Sequence, residues 1–315
     1  MHKNLIKIST VNMPREEWLE YRRKSIGGSD AASILGLNPW CSPYTVWADK
    51  LGKLEPKEDS EPMRLGRDLE DYVAKRFTEA TGKKVRRENH ILINPDYPFA
   101  HANVDRVIIG EDAGLECKTT STLNLKRFKN GTFPENYYVQ CVHYMMITGA
   151  KRWYLAVLVL GKEFKVFEIE RDEDEIAALI EAERSFYENH ILTGIPPIVD
   201  GSASTTDTIG AIYSEGRQGE SVNLMAYDRD MALYLTINAQ IKELEKSRDE
   251  AANRIKAFLG ESEYGASDKY NVSWSNGERR SFDYKSFQKE HSDIDLSGYF
   301  KVSKYRTFKI QEQKN

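Results

Sequence analysis

Eight consecutive apolar residues, Trp153–Leu160 (WYLAVLVL), constrain this chain more than any other stretch. A run without polar alternation is expected of a central strand buried on both faces. Gly161 and the alternating segment Lys162–Glu170 then predict a hairpin partner for it. Helix signals surround this strand. In Met63–Thr81, Leu65, Leu69, Val73 and Phe77 recur every fourth residue, and Gly82 stands where a helix terminates. Pro134–Thr148 (PENYYVQCVHYMMIT) reads as a helix entered through Pro134, and Asp172–Thr193 as an amphipathic helix. Val85–Ile93 and Phe99–Val107 read as strands joined by the turn Asn94–Pro98.

The chemistry concentrates in Ala102–Lys118, ANVDRVIIGEDAGLECK. Asp105 precedes an apolar stretch and a turn with glycines that accept positive φ, Gly110–Gly114, and the triplet Glu116-Cys117-Lys118 follows. Side chains alternate along a strand, so Glu116 and Lys118 share one face while Leu115 and Cys117 take the other. A hairpin can bring Asp105 onto the face of Glu116. Two carboxylates and an ammonium suit a hard divalent ion, a water and a phosphate. The plainer reading of these residues is a solvated hairpin with ordinary surface charges.

The whole chain narrows the classes. Its 315 residues, 40% hydrophobic and 30% charged, suffice for one large core or for a main domain with a smaller partner. A net charge of −4 gives no global nucleic-acid footprint, so any DNA contact must be a local basic patch. No apolar run approaches the ~20 residues of a membrane span, and the N-terminus lacks a signal-peptide core, so a cytoplasmic protein is expected. Cys41, Cys117 and Cys141 form no C-x-x-C pair, which argues against a zinc ribbon. Three cysteines cannot supply a four-cysteine iron–sulfur cluster from one chain.

Further places carry candidate function. Met13–Ile34 reads as a helix, a Gly27-Gly28 break, and a second helix capped by Ser29 or Asp30. With Arg22 and Arg23 upstream, this turn suits a DNA phosphate, or is simply a well-capped helix–turn–helix. Lys126, Arg127 and Lys129 follow the acid–lysine triplet and suit phosphate contacts, or a solvated face. Glu70 flanks the apolar stripe of its helix. It is either a surface charge or an acid leaning toward an ion. His101 shares strand parity with Asp105, and a structural role is the plainer one. Gln140 and Tyr144 lie one helical turn apart.

Taken in order, WLEYRRKSIGGSDAASILG, LGRDLEDYVAKRF, HANVDRVI, GLECKTTS and PENYYVQCVHYMMITGAKRWYLAVL resemble the YqaJ-type viral recombinase family. These are the phage alkaline exonucleases related to lambda exonuclease, in the PD-(D/E)xK superfamily. The resemblance implies an α/β (α+β) fold, a restriction-endonuclease-like mixed sheet flanked by helices. It implies a Mg²⁺-dependent 5′→3′ exonuclease of double-stranded DNA ends, with Mn²⁺ an alternative ion. By motif, Asp105 and Glu116 would hold the metal with the Cys117 carbonyl, Glu70 would support that shell, and Lys118 would activate the water. Arg22 and Ser29 match the 5′-phosphate positions. Gln140 matches a helix that usually carries a Q-x-Q pair, where this chain has Val142. The resemblance further implies a homo-oligomer, commonly a trimer, and a RecT/Beta-type single-strand annealing partner, in the cytoplasm of a phage-bearing host.

The expected layout is a nuclease core over residues 1–200, a Ser/Thr/Gly-rich linker over 201–225, and an extension over 226–315. The extension begins with a long helix, Asp228–Leu259, followed by strands at Tyr264–Asn276, Ser281–Tyr284 and Tyr305–Ile310. Its Arg279, Arg280, Lys285, Lys304, Arg306 and Lys309 interleave with aromatics, as on a nucleic-acid surface or a plain charged exterior. Two rivals to the exonuclease stay open: a structure-specific or nicking endonuclease of the same fold, and a non-catalytic DNA-binding scaffold.

Overall fold

The computed structural model describes residues 4–56, 59–301 and 305–311. The chain divides into two compact units after Tyr213, inside the stretch expected as a linker. The first unit is built on five strands: β2 (Val85–Arg87), β4 (Arg106–Ile108), β5 (Ala113–Thr120), β6 (Arg152–Val159) and β7 (Glu163–Glu170). Their spatial order is β2-β4-β5-β6-β7. β5 and β6 are parallel and every other pair is antiparallel, so the sheet is mixed. The apolar run is indeed its interior strand, bonded to β5 on one side and β7 on the other.

Helices cover both faces, which is why β6 is apolar on both. On one face α4 (Glu61–Thr81) lays Val73, Ala74 and Phe77 against Leu115, Tyr154 and Ala156. On the other, α5 (Glu135–Thr148) packs with Trp153, Leu155 and Val157. Every residue of α5 from Val139 to Thr148 is buried, because α2 (Gly28–Ile34) and α6 (Glu173–Phe186) close over its outer side. α1 (Arg15–Lys24) leads into α2, and α3 (Pro43–Lys50) lies beside both.

Several sequence expectations change in detail. Val85–Ile93 is two strands, not one. β2 joins the main sheet, whereas β3 (His90–Ile93) pairs with β1 (Ile6–Ser9) in a separate ribbon. Between them Glu88 is buried and anchored by Arg86, Lys7 and His90, which turns the chain from one sheet to the other. Phe99–Val107 forms a ladder only from Arg106, and upstream it makes single bridges, Ala100 to Ile26 and Ala102 to Leu92. Gly110 takes φ +85°, as a turn glycine should. Gly114 lies instead inside β5, where a Cβ would stand 2.2 Å from the Trp153 ring.

The stretch 201–225 contains a helix, α7 (Ala203–Ile212). Its polarity had suggested a linker, but its hydroxyls pair with those of α3. Thr45 Oγ1 lies 2.7 Å from both Ser204 Oγ and Thr208 Oγ1, and Thr205 donates to Ser42 at 2.8 Å. Thr205 and Thr208 are buried in this contact.

The second unit opens with the 32-residue helix α8 (Asp228–Leu259), at the expected bounds. Tyr264–Asn276 is a short hairpin, β8 (Tyr264–Ala266) with β9 (Asn271–Ser273). Ser281–Tyr284 is not a strand: Asp283 accepts from the Ser286 N–H and caps α9 (Tyr284–Glu290) instead. Tyr305–Ile310 carries no strand either, and its Phe308 packs edge-on against Tyr234 of α8. Lys304 lies outside the described residues. No helix among the described residues is long and apolar enough to cross a membrane.

Candidate active site

The register of β4 and β5 explains how the acids meet. Arg106 pairs with Leu115, so the next position brings Asp105 opposite Glu116. Asp105 bends over the strand end, and its Oδ2 accepts from the Cys117 N–H at 2.8 Å. Glu116 and Lys118 share the face turned toward α5, as strand alternation requires, and lie 2.5 Å apart. Parallel pairing with β6 sets these two beside Leu155 and Val157, an apolar floor that shuts water out from below.

Gln140 reaches down from α5. Its Nε2 donates to Glu116 Oε1 at 2.9 Å and to the Tyr144 hydroxyl at 2.7 Å. One oxygen of Glu116 is thus doubly engaged. The other, Oε2, is buried and makes no hydrogen bond. An unpaired carboxylate oxygen costs several kcal/mol in such a place unless a cation meets it.

The electrostatics agree. Burial, then the charges of Glu116 and Glu70, push the Asp105 carboxyl well above the usual carboxylate range. Burial opposes the charge of Lys118, but Glu116 and Asp105 outweigh it and raise its pKa. The site thus crowds Asp105 and Glu116 together out of water, a setting that disfavours two full negative charges without a further cation. Among the described residues no three His, Cys, Asp or Glu side chains converge into a ready-made cage. What is present is a carboxylate pair with one orphan oxygen. That fits an ion such as Mg²⁺, which takes one or two carboxylates and completes its shell with water and substrate phosphates.

Glu70 comes to this site from α4, but its Oε1 is held by Arg106 Nη1. Sequence reasoning missed Arg106. It is buried, and it also donates to the Asp105 carbonyl at 2.6 Å and to Asp71 at 2.6 Å. Its carboxylate partners, Glu70 and Asp71, lie over thirty residues away in sequence. An arginine leading directly into the apolar run Val107–Ile109 was the available signal.

The phosphate candidates are also in place. Arg22 Nη2 donates to Ser29 Oγ at 3.0 Å, and the Arg22 guanidinium stacks 4.8 Å over Trp18. The cap of α2 is Gly27 rather than Ser29 or Asp30. Asp30 sits at the third helical position and accepts back from the Gly27 N–H at 2.9 Å. Lys126 and Arg127 lie on an exposed 3₁₀ turn, Thr122–Phe128, directly after β5. His101 belongs to a different network. It is buried, shares a 2.8 Å hydrogen bond with Ser25, and is pushed down to about 3 by burial with Lys50 nearby. A neutral ring in that setting is structural.

The family model described as the YqaJ-like viral recombinase domain matches residues 17–151, which hold every site residue named above. The protein YqaJ of Bacillus subtilis (strain 168) is 41% identical over 307 residues, 95% of each chain. The chain belongs to the YqaJ family. Solved structures similar to this YqaJ-family chain include an alkaline exonuclease from Laribacter hongkongensis. It is 20% identical with a TM-score of 0.48, covering 55% of this chain and 91% of that one. A phage-related exonuclease from Haemophilus somnus 129PT is 14% identical with a TM-score of 0.39, covering 54% and 96%.

Proposed function

We propose that this YqaJ-family protein is a metal-dependent exonuclease that resects double-stranded DNA from 5′ ends, preparing single strands for annealing recombination. The buried, unpaired Glu116 Oε2 carries the reading through its setting, opposite a second carboxylate, Asp105, and beside Lys118; Glu183 Oε2 is also buried and unpaired, but that carboxylate pairs with His143. Membership of a viral-recombinase family and the exonuclease names of similar structures agree with it.

Asp105 and Glu116 would hold the ion, Mg²⁺ or Mn²⁺, with the Cys117 carbonyl, and Glu70 would support that shell from α4. Held there, one divalent ion would supply an acidified water as nucleophile, and a second would offset charge on the leaving 3′-oxygen. Lys118 remains an ammonium, so its part is to donate: it orients the water and offsets charge developing on the phosphate. Gln140 fixes the rotamer of Glu116, and Tyr144 in turn fixes Gln140. Arg22 and Ser29 grip a terminal 5′-phosphate, and Lys126 and Arg127 meet phosphates further along the strand. The carboxylates act through the ion, so no covalent intermediate forms. A ring of subunits, a trimer in this proposal, would keep the enzyme on its duplex, and a RecT/Beta-type protein would receive the exposed strand.

Digestion of a linear duplex labelled at the 5′ or the 3′ end tests this. Early release of 5′-labelled mononucleotides with Mg²⁺, abolished by EDTA and by Lys118→Ala, is the expected result. Cutting of covalently closed circles would make the protein an endonuclease. No cleavage with any divalent ion would leave a DNA-binding scaffold.

A further inference from the structure

A second charged group lies under the phosphate candidates, and the catalytic chemistry does not use it. Lys50, at the end of α3, has a side chain only 2% exposed. Its ammonium is 2.5 Å from Asp30 Oδ2 and donates to the Arg22 carbonyl at 2.6 Å. Asp30 also holds the Gly27 N–H. One buried cation thus ties the last turn of α1 to the first turn of α2. On the outer side of the same turn stand Arg22 and Ser29, hydrogen-bonded to each other. Burial works against the charge of Asp30, but Lys50 and Arg22 outweigh it and keep the carboxyl at about 2, so Asp30 stays ionised near neutral pH.

Buried ion pairs are poor stabilisers compared with apolar packing of the same volume. What this one does well is fix geometry. The arginine carbonyl it holds belongs to the residue whose guanidinium faces outward, and the aspartate it holds follows Ser29 directly. The spacing of the two groups that would embrace a phosphate is set from beneath by a single ammonium.

We propose that Lys50 is a positioning residue for recognition of a terminal 5′-phosphate, acting through its hydrogen bond to the Arg22 carbonyl. The inference rests on the reading of Arg22 and Ser29 as the phosphate grip. Asp30 neutralises Lys50 and locks the turn, but it is the tie to Arg22 that sets selectivity.

The test compares kcat/KM on duplexes ending in 5′-phosphate and in 5′-hydroxyl, and takes the ratio for each variant, so a general loss of activity cancels. The variants are Lys50→Met, Asp30→Asn, the double variant and Arg22→Ala. Lys50→Met should lower the ratio about tenfold through KM, the scale of one charge-assisted hydrogen bond. Asp30→Asn still accepts from Gly27 and Lys50 and should keep the ratio within about threefold, the scale of a neutral bond replacing a charged one. The double variant leaves no uncompensated buried charge, which protects folding, and should stay as low as Lys50→Met. Recovery of the wild-type ratio in the double variant would overturn the proposal, since Lys50 would then only neutralise Asp30. A ratio preserved in Lys50→Met but lost in Arg22→Ala would overturn it while sparing the phosphate grip. A wild-type ratio near one would overturn the grip itself and this inference with it.

Discussion

Gly28→Ala is the sharpest single perturbation of this site. Gly28 is the first residue of α2 and lies against α5, where an added Cβ would stand 2.7 Å from Tyr144 Cε1 and 3.3 Å from Gln140 Cγ. Carbon atoms in contact prefer about 3.5–4.0 Å, so the helix or the tyrosine must retreat by about 1 Å. Tyr144 cannot swing aside: it is buried, and its hydroxyl holds Gln140, which holds Glu116. Overpacking of this kind costs about 1–3 kcal/mol, partly offset by the better helix propensity of alanine, up to about 1 kcal/mol. A net loss of about 1–2 kcal/mol in urea denaturation follows. The kinetic effect should be larger, because α2 carries Ser29 and the displaced ring carries the Gln140–Glu116 chain. A misplacement of about 1 Å can cost about a hundredfold in rate. Single-turnover cleavage of a 5′-phosphorylated duplex would read it, with Gly27→Ala as the comparison. There the nearest atom is His101 Nε2 at 3.1 Å, and a shift of a few tenths of an ångström suffices. If Gly28→Ala matches wild type in both stability and rate, the close approach of α2 to α5 does not set the site.

Asp105→Asn should abolish cleavage and yet raise the melting temperature in EDTA. The folded state favours a neutral group there, because burial and two neighbouring acids raise its pKa, and asparagine still accepts from Cys117. By the same sign, the contribution of Asp105 to wild-type stability without metal is fully present below the ordinary aspartate pKa and is lost as pH rises through the elevated one. Added Mg²⁺ should restore it in wild type but not in Asp105→Asn. Glu116→Gln should lower the single-turnover rate by about a thousandfold or more, the scale of losing a core catalytic electrostatic group, with folding intact by circular dichroism. Glu183→Ala leaves His143 buried without the partner 2.7 Å away, and should cost about 3–5 kcal/mol in urea denaturation without shifting the Mg²⁺ dependence.

The sequence was legible where chemistry and local periodicity coincide. Asp105, Glu116 and Lys118 meet because strand alternation and a short turn leave little choice, and β6 announced itself by its unbroken apolar run. The break at Glu88 was hidden, since an acid inside a strand-like stretch gives no hint that one of its partners, Lys7, lies on another segment. α7 was hidden for the opposite reason: hydroxyl-rich composition mimics a linker unless one knows that another helix presents hydroxyls to meet it. Arg106 and Lys50 illustrate the same limit, as buried cations are defined by partners distant in sequence. Residues joined by strand alternation were legible, and the buried cations that brace them were not.

The parallel pairing of β5 with β6 has a consequence for the life of the protein in the cell. A ribosome delivers β5, with Glu116 and Lys118, about forty residues before the end of β6, since Thr120 closes one strand and Val159 the other. At about 5–20 residues per second, that is a delay of seconds. During it Gln140 is still being delivered, and the strand that lays the apolar floor does not yet exist. A nascent chain therefore displays the acidic motif well before the site around it exists. In the proposed nuclease, cutting would begin only once the sheet behind the acids had closed.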